Sequence, residues 1–192
     1  MTRAGQGQAS DHDRFETIYR ETRQSLLAYL MRRTGSTDDA ADLLSEVYLV
    51  AWRRMRHVPA DEGARLWLFG VARRLLANQR RRARTAADLA VALERSLVSH
   101  ESQESSVQSG IAAGDVAAAL RELAPADREL LMLSGWEGLT PAEIGIVVGR
   151  PAPLVRVRLH RARARLRAKL DERASAGRGE HPVASQPSLE QP

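Results

Sequence analysis

The chain has 192 residues, enough for one ordinary domain or two small ones, with 29 Lys and Arg against 24 Asp and Glu and no cysteine. Without cysteine there can be no disulfide, thiolate zinc site or cysteine nucleophile, which suits a reducing cytoplasm; no apolar run reaches about 18 residues, which argues against membrane insertion. A net charge of +5 is modest, so its meaning depends on where the basic residues sit.

The first dozen residues, MTRAGQGQASDH, lack an apolar stretch and read as a disordered N-terminus rather than a signal peptide. From residue 13 the pattern turns helical: Phe15, Ile18, Tyr19, Leu26, Leu27, Tyr29 and Leu30 recur until Gly35-Ser36 breaks the run. A second helix is expected from Thr37-Asp38-Asp39, where a short polar side chain can cap and carboxylates meet the positive helix terminus. Its buried stripe is Ala40, Leu44, Val47, Ala51 and Met55; another face carries Asp42, Glu46, Leu49, Arg53 and Arg56. Pro59 and Gly63 mark a turn before a third helix, which begins near Leu66 and runs into Arg80, Arg81, Arg82 and Arg84. The serine-rich, acidic stretch 85–114 has the composition of a linker. Helical periodicity returns over 115–170, with breaks at Ala124-Pro125, at Gly135 and Gly138, and at Gly149, and 171–192 reads as a disordered tail. No strand-type alternation competes, so the expected fold is all-α: two small helical domains, 13–84 and 115–170, joined by a flexible linker.

Two stretches lack any acid. Gly63 to Ala87 holds Arg65, Arg73, Arg74, Arg80, Arg81, Arg82 and Arg84; Ile144 to Leu170 holds Arg150, Arg156, Arg158, Arg161, Arg163, Arg165, Arg167 and Lys169. Solvated faces usually mix signs and gain from i,i+4 pairs. Unpaired guanidinium groups repel one another, and a phosphate backbone relieves that repulsion, so both runs point to nucleic acid. The second also sits on a motif. Thr140-Pro141-Ala142-Glu143 provides cap, first-turn proline and capping-box glutamate for a short helix; Gly149 ends it, and a long basic helix follows. That is a helix-turn-helix, whose second helix enters the major groove with its N-terminal residues nearest the bases. Arg156, Arg158 and His160 are therefore the base-edge candidates, with Arg150, Arg161 and Arg163 completing the DNA-facing set. Asp38, Asp42 and Glu46 would repel phosphates, and with Leu49 beside them they suggest a protein-binding ridge.

The stretch Asp38-Asp39-Ala40-Ala41-Asp42-Leu43-Leu44-Ser45-Glu46-Val47-Tyr48-Leu49 resembles region 2 of the extracytoplasmic-function (ECF) sigma factors, and Arg65-Leu66-Trp67-Leu68-Phe69-Gly70-Val71-Ala72-Arg73 resembles the start of their −10 recognition helix. Leu120–Leu133 and Arg158-Leu159-His160-Arg161-Ala162-Arg163 are similar to the opening and the close of their region 4. The resemblance implies a promoter-directing subunit of RNA polymerase. Asp38, Asp42, Leu43, Glu46 and Leu49 would contact the β′ clamp helices. Arg65, Arg73, Arg74, Asn78, Arg80 and Arg81 would engage the −10 element, and the helix-turn-helix would read the −35 element and touch the β-flap. Trp67 and Phe69 could stack on an extruded base, but their spacing places them in the core. An anti-sigma partner is a further expectation of the family. Three departures stand out: Ser45 in place of Gln, Arg74 in place of Asn, and Arg150-Pro151-Ala152-Pro153-Leu154-Val155 in place of an Ile-Pro-x-Gly-Thr-Val turn.

A free-standing helix-turn-helix regulator is the main alternative, but it would need a sensor or dimerisation domain where 13–84 is acidic in its middle and basic at one end. An enzyme fits less well. There is no glycine-rich phosphate loop, His12, His57, His100, His160 and His181 are scattered, and no cofactor or metal is expected.

Overall fold

The structure, a computed structural model, describes residues 3–96 and 115–176, and within them every regular element is helical. The first half contains α1 (Arg3–Met31), α2 (Thr37–Arg53), a 3-10 turn at Met55–His57, and α3 (Glu62–Ser96). The second contains α4 (Asp115–Glu122), α5 (Pro125–Gly135), α6 (Pro141–Val148) and α7 (Ala152–Ala176).

Local chemistry sets the boundaries. The Ser36 hydroxyl accepts from the Asp38 and Asp39 backbone amides at 3.1 and 3.3 Å and starts α2, one residue before the expected run. The Thr140 hydroxyl accepts from Glu143 N at 3.3 Å while Glu143 Oε2 accepts from Thr140 N at 2.7 Å, completing the capping box of α6. Gly149, at φ +66°, ends that helix in the left-handed region that favours glycine.

Three expected ends move outward. The helix containing Phe15 begins at Arg3, inside the stretch expected to be disordered, because no proline interrupts it before the packed part of α1. Helix α3 continues past residue 84 to Ser96, through an alanine-rich segment with no breaker. Helix α7 continues past residue 170 to Ala176, where Arg173 and Lys169 pair with Glu122 of α4, the latter at 3.4 Å. The remainder of the expected linker and tail, 97–114 and 177–192, lies outside the described residues.

Helices α1, α2 and α3 pack around Leu26, Tyr29, Leu30, Val47, Leu68 and Phe69, all essentially inaccessible to solvent. In the second half α5, α6 and α7 pack around Leu133, Ile144, Val155, Leu159 and Ala162. The two cores are continuous, because α3 lies against α6. At Gly70 the two helices are in ordinary contact: a Cβ there would stand 3.6 Å from the Val147 carbonyl oxygen, with room to fit.

Charge borders this seam. Arg33, at the end of α1, donates from Nε to Glu129 at 3.0 Å and from Nη1 to Glu137 at 3.1 Å, and Arg32 donates to the other Glu137 oxygen at 2.5 Å. The Arg33 side chain is 2% exposed and that of Glu137 3%. Tyr29 donates to Glu129 at 3.0 Å, with the Arg33 guanidinium 3.7 Å above its ring. Burial and the neighbouring Glu129 carboxylate push the Tyr29 phenol well above its ordinary pKa, so it stays a donor. Removing one partner of a buried pair leaves an uncompensated charge. Glu137→Ala is therefore expected to weaken the closed packing by about 3–5 kcal/mol, and scanning calorimetry should show a lower melting temperature with the two halves unfolding separately.

Candidate polymerase and nucleic-acid interfaces

Helix α2 presents the expected acidic ridge. Asp38, Asp42 and Glu46 are exposed at helical spacing, and Leu49 next to them is 53% exposed. Leu43 is different: it is buried in the core between α1 and α3, so its side chain cannot reach a partner and its part in the region is structural. The ridge has an apolar neighbour that the sequence did not reveal. Trp52, three residues after Leu49, is half exposed and stands edge-on to Phe15 at 5.2 Å between ring centroids, while Tyr19 of α1 lies 4.8 Å from Tyr48. Tyr48 itself is buried; its hydroxyl is 2.8 Å from that of Thr22, and burial pushes its phenol up to about 12. Trp52 and Tyr19 fall on a surface stripe that a one-helix periodicity count cannot assign, because it is completed by α1.

The basic residues of α3 divide in two. Arg65, at its N-terminal end, is half buried and donates to the Glu137 carbonyl at 3.1 Å, so the seam occupies it; Arg73 lines the cleft where α3 meets α5 and α7. Farther along, Arg74 folds back to the Gly70 carbonyl at 3.0 Å, Arg80 donates to the Arg33 carbonyl at 3.2 Å, and Arg81 bonds Asn78. Arg74, Asn78, Arg80, Arg81, Arg82 and Arg84 are all exposed. Phe69 is fully buried and Trp67 half buried, as their spacing indicates.

The helix-turn-helix forms as read. Gly145 of α6 is buried under the turn, where a Cβ would come 2.6 Å from the Arg150 carbonyl oxygen, and its own carbonyl accepts from Arg150 N at 2.9 Å. On α7, Val155, Leu159 and Ala162 face the core. Arg150, Arg156, His160 and Arg161 are exposed, and their side chains have no polar partner among the described residues. Arg163 is exposed and donates to Ser134 Oγ at 3.0 Å.

Arg158 carries a tie that the sequence did not show. It donates at 2.7 Å to Asp127, whose other oxygen is bonded by Arg165, two turns farther along α7. Asp127 sits in the first turn of α5 with its side chain 2% exposed. Burial raises its carboxyl, but the hydrogen bonds from Arg158 and Arg165 outweigh that and hold it below the ordinary carboxylate range. One buried anion thus fixes two arginines of the basic helix. Its only signal in the sequence is an acid in the first turn of a helix, a place where acids are common for dipole reasons alone.

An arrangement of this kind, a capped helix-turn-helix beside a second helical body, is that of a helical DNA-binding protein. The sequence matches the family description Sigma-70 region 2 over residues 18–86 and Sigma-70, region 4 over residues 113–166. It is 29% identical to the ECF RNA polymerase sigma factor SigL of Mycobacterium tuberculosis, over 90% of this chain and 97% of that one. To the ECF sigma factor BldN of Streptomyces coelicolor it is 30% identical, over 81% of this chain and 60% of that one. Among solved structures the fold is similar to the sigma factor RpoE of Bartonella quintana in complex with the anti-sigma factor NepR (TM-score 0.60, 23% identity, covering 82% of this chain and 96% of that one). It is also similar to CnrH in complex with the cytosolic domain of CnrY (TM-score 0.59, 25% identity, covering 88% and 95%). The chain belongs to the sigma-70 family, in its ECF group, and is a polymerase-associated sigma factor.

Two outcomes follow from the geometry around the helix-turn-helix. Gly145→Ala is expected to cost about 1–3 kcal/mol, because the methyl meets backbone rather than a movable side chain; denaturant unfolding measures it. Asp127 has a lowered native pKa, so its contribution is fully present above the ordinary carboxylate range and is lost as pH falls through that range towards the native value. Asp127→Asn should remove about 1–2 kcal/mol near neutral pH, the arginines being half exposed, and should flatten the acid limb of the stability–pH curve.

Proposed function

We propose that this sigma factor engages core RNA polymerase through the α2 ridge of Asp38, Asp42, Glu46 and Leu49, extended by Trp52, and reads promoters with two separate basic surfaces. Like charge excludes the ridge from DNA, and an exposed leucine and tryptophan beside carboxylates suit a basic, partly apolar protein groove such as the β′ clamp helices. The exposed arginines of α3, together with Arg65 and Arg73 once they are released from the seam, serve the −10 element; Arg150, Arg156, Arg158, His160, Arg161 and Arg163 serve the −35 element. Residues 13–84 and 115–170 act as the two functional domains, and the second also meets the β-flap. The chain contributes recognition and no catalysis, so initiation chemistry stays with polymerase. It works in the cytoplasm, and no helix among the described residues is long and apolar enough to cross a membrane. The RpoE structure contains the anti-sigma factor NepR and the CnrH structure the cytosolic domain of CnrY, which supports a protein inhibitor here.

The observation that carries this reading is the segregation of charge: an exposed acidic ridge on α2 and an acid-free run from Ile144 to Leu170 on the helix-turn-helix. A free-standing regulator would have no use for the ridge. Replacing both Asp42 and Glu46 by Arg is expected to abolish co-purification with core polymerase while circular dichroism stays unchanged; retained affinity would overturn the assignment. On the promoter side, Arg156→Ala should weaken binding of the holoenzyme to a −35 duplex by about 1–3 kcal/mol and relax selectivity at one base pair. A loss equal across sequences, with a shallower salt dependence, would make Arg156 a phosphate contact.

A further inference from the structure

Two large apolar side chains stand in solvent where α7 begins: Leu154 is 60% exposed and Val157 51%. They lie one turn apart in the first two turns of the second helix of the helix-turn-helix, the part that comes nearest the bases in this motif. With Val155, Leu159 and Ala162 turned to the core, the outward centre of the helix runs from Leu154 through Val157 and Arg161 to Ala164 and Ala168. Arg156 and His160 border that strip on one side and Arg158 on the other, all exposed. A lone surface leucine is commonplace. A pair at the tip of a helix, with the unpartnered Arg156 on one side and the Asp127-held Arg158 on the other, in a run without acids, is not explained by solvation.

We infer that Leu154 and Val157 read thymine in the −35 element through its C5 methyl group. This rests on the assignment of α7 as a promoter-reading helix. The bordering side chains hold the first turns of α7 in the major groove, against bases and phosphates, and the strip between them then faces base edges as well. Those edges are donors and acceptors, and an aliphatic side chain pressed against them desolvates them without replacing a hydrogen bond. Thymine's methyl is the one apolar feature among the four base pairs in that groove. Leucine and valine at these positions therefore favour thymine and disfavour the other bases.

Uracil differs from thymine only by that methyl, and this gives the test. Holoenzyme assembled from the full chain and core polymerase is used to select its −35 sequence from random duplexes; each thymine is then replaced by uracil and binding measured by fluorescence anisotropy. At one or two thymines uracil should weaken wild-type binding about threefold to fivefold, and Leu154→Ala or Val157→Ala should reduce that dependence at its own thymine to less than twofold. The wild-type measurement alone suffices should either variant unfold. A selected element without thymine, uracil tolerated at every position, or a dependence unchanged in both variants would each overturn the inference while leaving α7 a promoter reader. Variants that lose affinity for core polymerase but keep thymine selectivity would make the patch a protein contact and overturn it as well. A holoenzyme that selects no sequence at all would remove the promoter-reading assignment itself, and this inference with it.

Discussion

The side chain on which the arrangement depends is Arg33. Its guanidinium lies almost wholly out of solvent between Glu129 and Glu137, carboxylates that reach it from the far half of the chain. A charge so placed is tolerable only with partners in good geometry, since desolvating an unpaired ion costs several kcal/mol. That requirement fixes the end of α1 against the start of α5 and the loop after it, and so fixes how α3 meets α6. Dispersion and burial between α3 and α6 then close the seam, but apolar contact has little directional preference. The ion pairs supply the register.

This seam is a junction between two small bodies, and its composition shows it. Neither Arg32 Nε nor Arg33 Nη2 has a protein acceptor, although both atoms are buried. Such groups recover solvation when the halves part, which offsets some of the lost pairing. A wholly apolar seam would have no such return. Arg65 is already committed to the Glu137 carbonyl, so it cannot serve DNA in the same arrangement, whereas Arg82 and Arg84 lie beyond the seam with no polar partner among the described residues. Contact between the halves and full use of the α3 surface therefore compete for the same side chain.

The periodicity of the sequence was enough to place the seven α-helices of the described residues within a few residues of their packed parts, because each buries one stripe and most begin or end on a proline, a glycine or a cap. Ser36, Thr140 and Gly149 act through local geometry, which a sequence displays directly. Helix ends without a breaker were harder: α1, α3 and α7 each overrun their apolar pattern, since helical propensity and pairs such as Arg173 with Glu122 extend a helix beyond the part that packs. The features that escaped were long-range. Arg33 with Glu137 spans 104 residues and Asp127 with Arg158 spans 31, and nothing in the neighbourhood of either acid distinguishes it from an ordinary surface carboxylate. Leu43 was misjudged for a related reason: at the edge between the acidic face and the core stripe, one helical step decides its side, and only the packing of α1 and α3 turns it inward.

The same reasoning explains why α7 can carry so many arginines. A helix with seven basic residues between Arg156 and Lys169 and no internal acid accumulates repulsion along its length. Asp127 lowers that repulsion from outside the helix by holding Arg158 and Arg165, Ser134 restrains Arg163, and Glu122 receives Lys169 near the C-terminal end. The residues left without polar partners among the described ones are Arg156, His160 and Arg161, close to the tip, and Arg167 farther along. Neutralisation is thus uneven, greatest along the flank that meets α4 and α5 and least where the helix projects. A polyanion approaching α7 meets most of its uncompensated charge near the end that also exposes Leu154 and Val157, so electrostatic attraction and apolar selectivity act on the same part of the helix.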